Sequence, residues 1–388
     1  MHNSLVQDRA DLSRRKPSSL RPGVTLADVA RAAGVDQSTV SRVLRNDHGA
    51  RTTEATRSRI HDEASRLGYV ANAAARSLAM RRTSTLGILI PSSLNLVIVD
   101  VIRGAQDAAR ELGYVLMVAD ASELGRASDA VRSLVLEGRV DGLLIASGTI
   151  TDEVTDDLLD GFGNCVILNR RIGGRAPSVI EDDDLGMFIA TRELIEHGHE
   201  TIACLAGPID IDTSRRRVAG YRRAMKAAGL KVGKGSVVHR PFDEAGGFSG
   251  TTELLSGPNR PSAIASASLA AAIGGLAAAR GMNVGVPDEL SFTAFHDAPI
   301  ANYLSPPLTT VAMPLGQLGR QAVLMLHRRL TGVSGPTHVT VQDPAPRLIR
   351  RESVARLAKP RLGEPKSAAV LGHPKLLRPT TPEATPAI

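Results

Sequence analysis

Gln37, Ser38, Ser41 and Arg42 recur at positions that a helix carries to one side, and together they offer a polar, hydroxyl-rich face. Arg42 can read guanine with a two-pronged donor fork, and Gln37 and Ser38 can hydrogen-bond to base edges in a major groove. Thr25, Thr39 and Ser41 are suited to phosphate oxygens, which set register rather than sequence. The chemistry these residues can do is recognition of duplex nucleic acid, not bond making.

The elements that must position them lie in Val24 to Leu44. Thr25 is placed to cap a first helix, with Asp28 three residues on able to reach back, as in a capping box. Val29, Ala30 and Ala33 share one face of that helix. Gly34 ends it where a left-handed residue is least strained. Asp36 is placed to cap a second helix from Gln37 to Leu44, with Val40 and Leu44 turned inward. This pattern predicts a helix-turn-helix whose second helix enters a groove. Thr53 starts a third helix with Ile60, Ala64 and Leu67 at helical spacing, stopped by Gly68.

Charge supports the same end of the chain. The net charge is +7 over 388 residues. The first 83 residues hold 15 Lys and Arg against 8 Asp and Glu, whereas residues 84–355 hold 26 against 30. A basic head on a slightly acidic body fits a polyanion bound at one end. No run of eighteen apolar residues and no apolar signal core is present, so the expected location is the cytoplasm, at the bacterial nucleoid, with no membrane partner. Cys165 and Cys204 lie in apolar runs that read as buried strands.

From Leu86 the texture changes to alternating strands and helices: LGILIP, YVLMVA, VDGLLIAS and CVILNR, then TIACLAG, VVHR, PSAIAS and LSFTAF with helices between them. Such alternation predicts parallel sheets with helices on both faces, and its restart predicts two α/β halves with ligand at the carboxyl ends of the strands. Catalytic and metal chemistry find little support. The acids Glu181 to Asp184 precede a helix, where the dipole favours them. His197 and His199 flank a helix-ending Gly198, and GFGNCV lacks the third glycine of a dinucleotide fingerprint. Ser147, Ser266 and His296 have no spacing that implies a triad. No catalytic residue, metal or cofactor is expected. Two rivals are a secreted small-ligand-binding protein, which would lack the helical head, and an enzyme on a doubly wound sheet, which would show a motif at a strand end.

The words TLADVARAAGV and TVSRVL, followed by VDGLLI, GHETIACLAGP, RRRVAGYRRAMKAAGL, SPPLTTVAMPLGQLGRQAVLML and LIRRES, resemble the LacI (lactose-repressor/galactose-repressor) family of bacterial transcription regulators. The resemblance implies an all-α helix-turn-helix head joined to an α/β bilobed body similar to periplasmic sugar-binding proteins, with two doubly wound parallel sheets. It further implies a homodimeric, ligand-responsive repressor on a near-palindromic operator of double-stranded DNA, with a small effector in the cleft between lobes.

The implied division is a disordered basic arm at 1–21, a DNA-binding domain at 22–70, and a hinge helix and linker at 71–83. The bilobed effector-binding and dimerisation domain follows at 84–354, and a disordered tail at 355–388. Asn72, Ala75 and Leu78 match the family's hinge, with Leu78 at the lever position that pries open a minor groove. Arg45 stands where asparagine is usual and Asp36 where Ser or Thr is usual, which puts the base contacts, not the fold, in question. For the effector, Arg215 matches the gripping arginine, Phe242 a pocket-wall aromatic, and Asn169 and Arg170 an earlier strand end. Ser268 and Leu269 replace an Asn-Asp pair, and His296 with Asp297 replaces an aspartate pair. Two familiar hydroxyl acceptors are therefore gone, and an ordinary hexose is not the expected effector.

Overall fold

The computed structural model describes residues 24–44, 52–69, 82–90, 97–120, 138–146, 162–172 and 176–357. The N-terminal arm, Arg45, the hinge residues Asn72, Ala75 and Leu78, the helix expected near 127–137, Ser147 and the tail beyond 357 lie outside them.

The head is three helices: α1 (Leu26–Ala33), α2 (Gln37–Leu44) and α3 (Glu54–Leu67). The predicted caps form. Thr25 Oγ1 accepts from the Asp28 N–H at 3.3 Å, while Asp28 accepts from the Thr25 N–H at 3.0 Å. Gly34 adopts φ +63° and closes α1 through the Ala30 and Arg31 carbonyls. Thr53 caps α3, and Gly68 ends it at φ +66°. Each such cap stabilises a helix by about 1 kcal/mol, which matters for helices as short as α1 and α2. The core consists of Val29, Ala30, Ala33, Val40, Val43, Ile60 and Ala64. Val43, not Leu44, partners Val40 in full burial. The i, i+3 position takes the centre of the stripe, and Leu44, the last helical residue, packs at its margin.

The chain separates into two compact units, the first Met1–Asp182 with Pro314–Ala345, which includes the head, and the second Asp183–Met313 with Pro346–Ile388. In the first, strands β1 (Thr85–Ile90), β2 (Val115–Asp120), β3 (Gly142–Ile145), β4 (Cys165–Leu168), β5 (Ser178–Glu181) and β11 (His338–Val341) form one sheet. Their order is β11-β5-β4-β3-β1-β2, parallel throughout. Helix α4 (Ile98–Glu111) packs against α9 (Leu315–Leu330). The two approach so closely that a Cβ on Gly104 would stand 1.9 Å from the Gly316 carbonyl oxygen, and one on Gly319 2.0 Å from that of Val101.

The second unit holds β6 (Ile202–Ala206), β7 (Val237–His239), β8 (Ala263–Ser266), β9 (Ser291–Phe295), β10 (Thr309–Ala312) and β12 (Arg347–Ile349), in the order β12-β10-β9-β8-β6-β7. Its helices are α5 (Asp183–Glu196), α6 (Asp212–Ala227), α7 (Glu244–Ser256) and α8 (Leu269–Gly281). This sheet departs from the wholly parallel expectation. The edge strand β12 runs antiparallel to β10, pairing Ile349 with Thr310, a common device where a returning chain closes a sheet. Cys165 and Cys204 are free and buried within β4 and β6, and burial pushes each thiol up to about 12.

The acidic run divides by role. Glu181 ends β5, and Asp183 and Asp184 open α5. Among the described residues no group of three His, Cys, Asp or Glu is placed to hold a metal ion. His197 Nδ1 lies 2.8 Å from the Glu193 carbonyl at the end of α5, and His199 bridges Ser262 Oγ and the Ala355 carbonyl.

Candidate nucleic-acid interface and ligand-binding loops

On the head, Gln37, Ser38 and Arg42 are exposed, and Thr39 and Ser41 half-buried. The helix repeat stacks Gln37 over Ser41 and Ser38 over Arg42, so these four share the outward side opposite Val40 and Val43. Asp36 serves as the cap, its carboxylate accepting the Ser38 N–H at 2.7 Å. Aspartate therefore does locally what Ser or Thr would do. Hydrogen bonding from Ser38 holds the Asp36 carboxyl below its ordinary value, and the Thr25 hydroxyl does the same for Asp28. Thr25 is exposed, but its hydroxyl is engaged with Asp28 at 2.6 Å. Arg31 and Arg66 are paired with Asp28 and Glu63. Arg42 has no hydrogen-bond or ion-pair partner among the described residues, so its five donors face outward unspent.

In the second unit, the loops at the carboxyl ends of the strands converge on Arg217. Its Nε donates to Asp183 at 2.6 Å and its Nη1 to the Ala267 carbonyl at 2.7 Å. The guanidinium lies 4.0 Å from the Phe295 ring centre and 5.3 Å from that of Phe242. One side chain thus gathers the start of α5, the ends of β8 and β9 and the loop after β7. Asp183 is fully buried and also paired with Arg216, so its charge is matched twice. Burying such a carboxylate is tolerable only with this degree of pairing.

Ser268 caps α8, accepting from the Ala271 N–H and donating to the Phe242 carbonyl at 2.7 Å. It thereby fixes the loop that carries the phenyl ring. Leu269 is buried in α8. His296 is buried at the end of β9 with φ +72°, its ring edge-on to Phe295 at 4.7 Å. A positive φ on a non-glycine residue is a strained conformation that packing must hold.

Two expected residues are placed differently. Arg215 is exposed and donates to the Asp210 carbonyl at 2.8 Å. The arginine brought to the loops is Arg217, two positions later. The signal was present in the helix repeat: Ser214, Val218 and Tyr221 lie three before, one after and four after Arg217, and all are buried. Arg215 falls on the opposite side. Asp297 is engaged by Thr310 Oγ1 at 2.5 Å and Arg351 Nη1 at 2.9 Å, so it braces β10 rather than presenting a free carboxylate. In the first unit, Asn169 follows β4 with φ +60°, its N–H bonded to the Val179 carbonyl, and Arg170 is buried beside it.

Comparison with known proteins bears on both regions. Residues 25–72 match the model for bacterial regulatory proteins of the lacI family, and residues 191–354 match a periplasmic binding protein-like domain. The ribose operon repressor of Escherichia coli K12 is 34% identical over 310 residues, spanning 79% of this chain and 93% of that protein. The HTH-type transcriptional repressor PurR of Vibrio campbellii is 31% identical over 337 residues, spanning 86% and 99%. Among solved structures, the lac repressor dimer bound to operator and the anti-inducer ONPF aligns with TM-score 0.72 at 25% identity, covering 86% of this chain and 99% of that one. A LacI family transcriptional regulator from Mycobacterium smegmatis aligns with TM-score 0.66 at 34% identity, covering 70% and 99%.

Proposed function

This chain belongs to the lacI family of bacterial regulatory proteins, and from that premise we infer how its parts divide the work. It is a ligand-responsive, DNA-binding regulator of transcription, a repressor by kinship. The observation that carries the reading is α2 itself: capped by Asp36, held by Val40 and Val43, and turning Gln37, Ser38, Ser41 and Arg42 outward. That arrangement suits a major groove, with Arg42 reading a guanine and Ser38 or Gln37 its neighbour. Near-palindromic operators and homodimers go together, since two heads on a two-fold axis meet two half-sites. In support of a dimer, the edge strand β2 exposes Val115, Met117 and Val118, and α4 exposes Val99. An apolar edge of this kind suits a second copy. Working on operator DNA places the protein in the cytoplasm, and no described helix is long and apolar enough to cross a membrane.

The ligand meets the loops around Arg217, Phe242, Ser268 and His296. Their carboxylates, Asp183 and Asp297, are already committed to arginines. The kinship with a ribose operon repressor makes a sugar the natural comparison. Without a carboxylate to accept two hydroxyls, a neutral sugar forgoes charge-assisted bonds worth about 1.5–3 kcal/mol each. A ligand that brings its own acceptors to Arg217 and a flat face to Phe242 fits better. No step of catalysis enters this reading.

An electrophoretic shift with fragmented genomic DNA, repeated with metabolites, tests it. We expect a few fragments retained at about 0.1 M salt and their affinity altered by one class of metabolite, through a coupling of about 1–3 kcal/mol. Retention of no fragment under any of these conditions would overturn it.

A further inference from the structure

The first unit contains a cavity of about 370 Å³ beneath the loop joining α9 to β11. Met325, Arg328 and Arg329 of α9 form one wall, residues 332–337 of the loop the roof, and Asn164 and Pro177, before β4 and β5, the remainder. Among the described residues its lining has two guanidinium groups, the hydroxyls of Ser334 and Thr337 and the amide of Asn164, and no carboxylate.

Arginines near a helix end usually serve that end, because the last carbonyls carry partial negative charge and lack intrahelical partners. Here those carbonyls are already satisfied. The His327 carbonyl accepts from the Thr331 N–H, that of Arg328 from the Val333 N–H, and that of Arg329 from the Gly332 N–H. The Thr331 hydroxyl adds a further bond to His327, and the Leu330 carbonyl accepts from Arg82 at 3.2 Å. Arg329 is engaged with the Gly163 carbonyl at 2.9 Å. The Arg328 guanidinium, half-buried in the cavity wall, has no hydrogen-bond or ion-pair partner among the described residues. A partly desolvated guanidinium in a wall shared with a second one, with hydroxyl and amide donors and no acid among the described lining residues, is suited to receive a tetrahedral anion.

We propose that this cavity is a second binding site, for a phosphate group, distinct from the loops around Arg217. The phosphate belongs either to the DNA backbone or to a free phosphorylated metabolite; the chemistry is shared. Arg82, which donates to the end of α9, lies in the last residues of the linker expected at 71–83. Filling the cavity therefore acts on the helix end to which that linker is tied.

Two measurements on the full chain test this. In the first, inorganic phosphate is titrated calorimetrically at fixed ionic strength into the wild type, Arg328→Gln and Arg328→Lys. A free phosphorylated ligand predicts saturable one-site binding to the wild type, at least about tenfold weaker in Arg328→Gln and largely retained in Arg328→Lys. In the second, affinity for one duplex of fixed generic sequence is followed against salt. DNA phosphate as the occupant predicts that Arg328→Gln flattens the log–log slope by about 0.9, one phosphate contact. Either result supports the site and identifies its source. No saturable phosphate binding together with an unchanged slope overturns it. This proposal rests on the DNA-binding reading only in its second arm: duplex binding by the wild type with both tests negative would sink the cavity site and leave the regulator intact.

Discussion

Arg42 and Arg217 show two ways of holding the same side chain for a partner. In the head, Arg42 sits on a three-helix unit, exposed and without a hydrogen-bond or ion-pair partner among the described residues. In the second unit, Arg217 is 3% exposed, stacked on two phenyl rings and bonded to Asp183 and Ala267. The head keeps its chemistry outside its core, so its reading face can vary while its fold persists. The loops proposed to meet the ligand place theirs inside, so on that proposal recognition and stability draw on the same atoms. A substitution at the first site should change what is bound, and at the second also whether the unit holds together.

That contrast can be broken most forcefully from the head's interior. Ile60 is fully buried among smaller residues, the other six core members being three alanines and three valines. Ile60→Ala should cost about 2–5 kcal/mol, enough to unfold so small a unit, abolishing DNA binding while ligand binding survives. Circular dichroism and ligand calorimetry on the same sample would check it.

Arg217→Ala should cost about 3 kcal/mol, the low end for breaking a buried pair because Arg216 still faces Asp183, and should also remove the ligand response. Denaturant unfolding read beside ligand titration would show both losses together; loss of response with unchanged stability would contradict the fusion of roles. Arg215→Ala sharpens the same point, since an exposed side chain bonded to a loop carbonyl should leave stability within about 0.5 kcal/mol and the ligand affinity unaltered.

The smallest effect is in acid. Asp28 and Asp36 have carboxyls held below their ordinary value of 3.8 by Thr25 and Ser38. A depressed value means the folded state binds protons less readily than the unfolded one. Their contribution is therefore present above 3.8 and is lost as pH falls through the lowered values. Head helicity followed across that range should decline earlier than the same trace for Asp36→Asn normalised to its own neutral-pH signal.

Much of this was legible in the chain because its signals are local. Caps at Thr25, Asp36 and Thr53, stops at Gly34 and Gly68, and a period that separates Val40 from Arg42 act within a turn or two. The apolar strand runs announced two parallel sheets for the same reason, and the sheets are parallel except for the edge strand β12. The short strands β5 and β11 were not legible: Ser178 and Glu181 make one polar at its ends, and His338 and Thr340 interrupt the valines of the other. Arg217 was hidden by its neighbours in the run 215–217, where residue type does not distinguish them and only the side shared with Tyr221 does. The role of Asp297 could not be read from AFHD, because Thr310 and Arg351, which engage it, are distant in sequence. The reversal of β12 likewise depends on a partner strand and not on its own residues.

Whether α2 reads sequence is tested most directly by equilibrium titration of the wild type and Arg42→Ala against a selected operator and a scrambled duplex at one salt concentration. The account predicts that Arg42→Ala binds the operator about 5–150-fold more weakly, the equivalent of about 1–3 kcal/mol, while affinity for the scrambled duplex falls far less. Equal losses on both duplexes would reduce Arg42 to a phosphate contact. No loss on either would contradict the account outright.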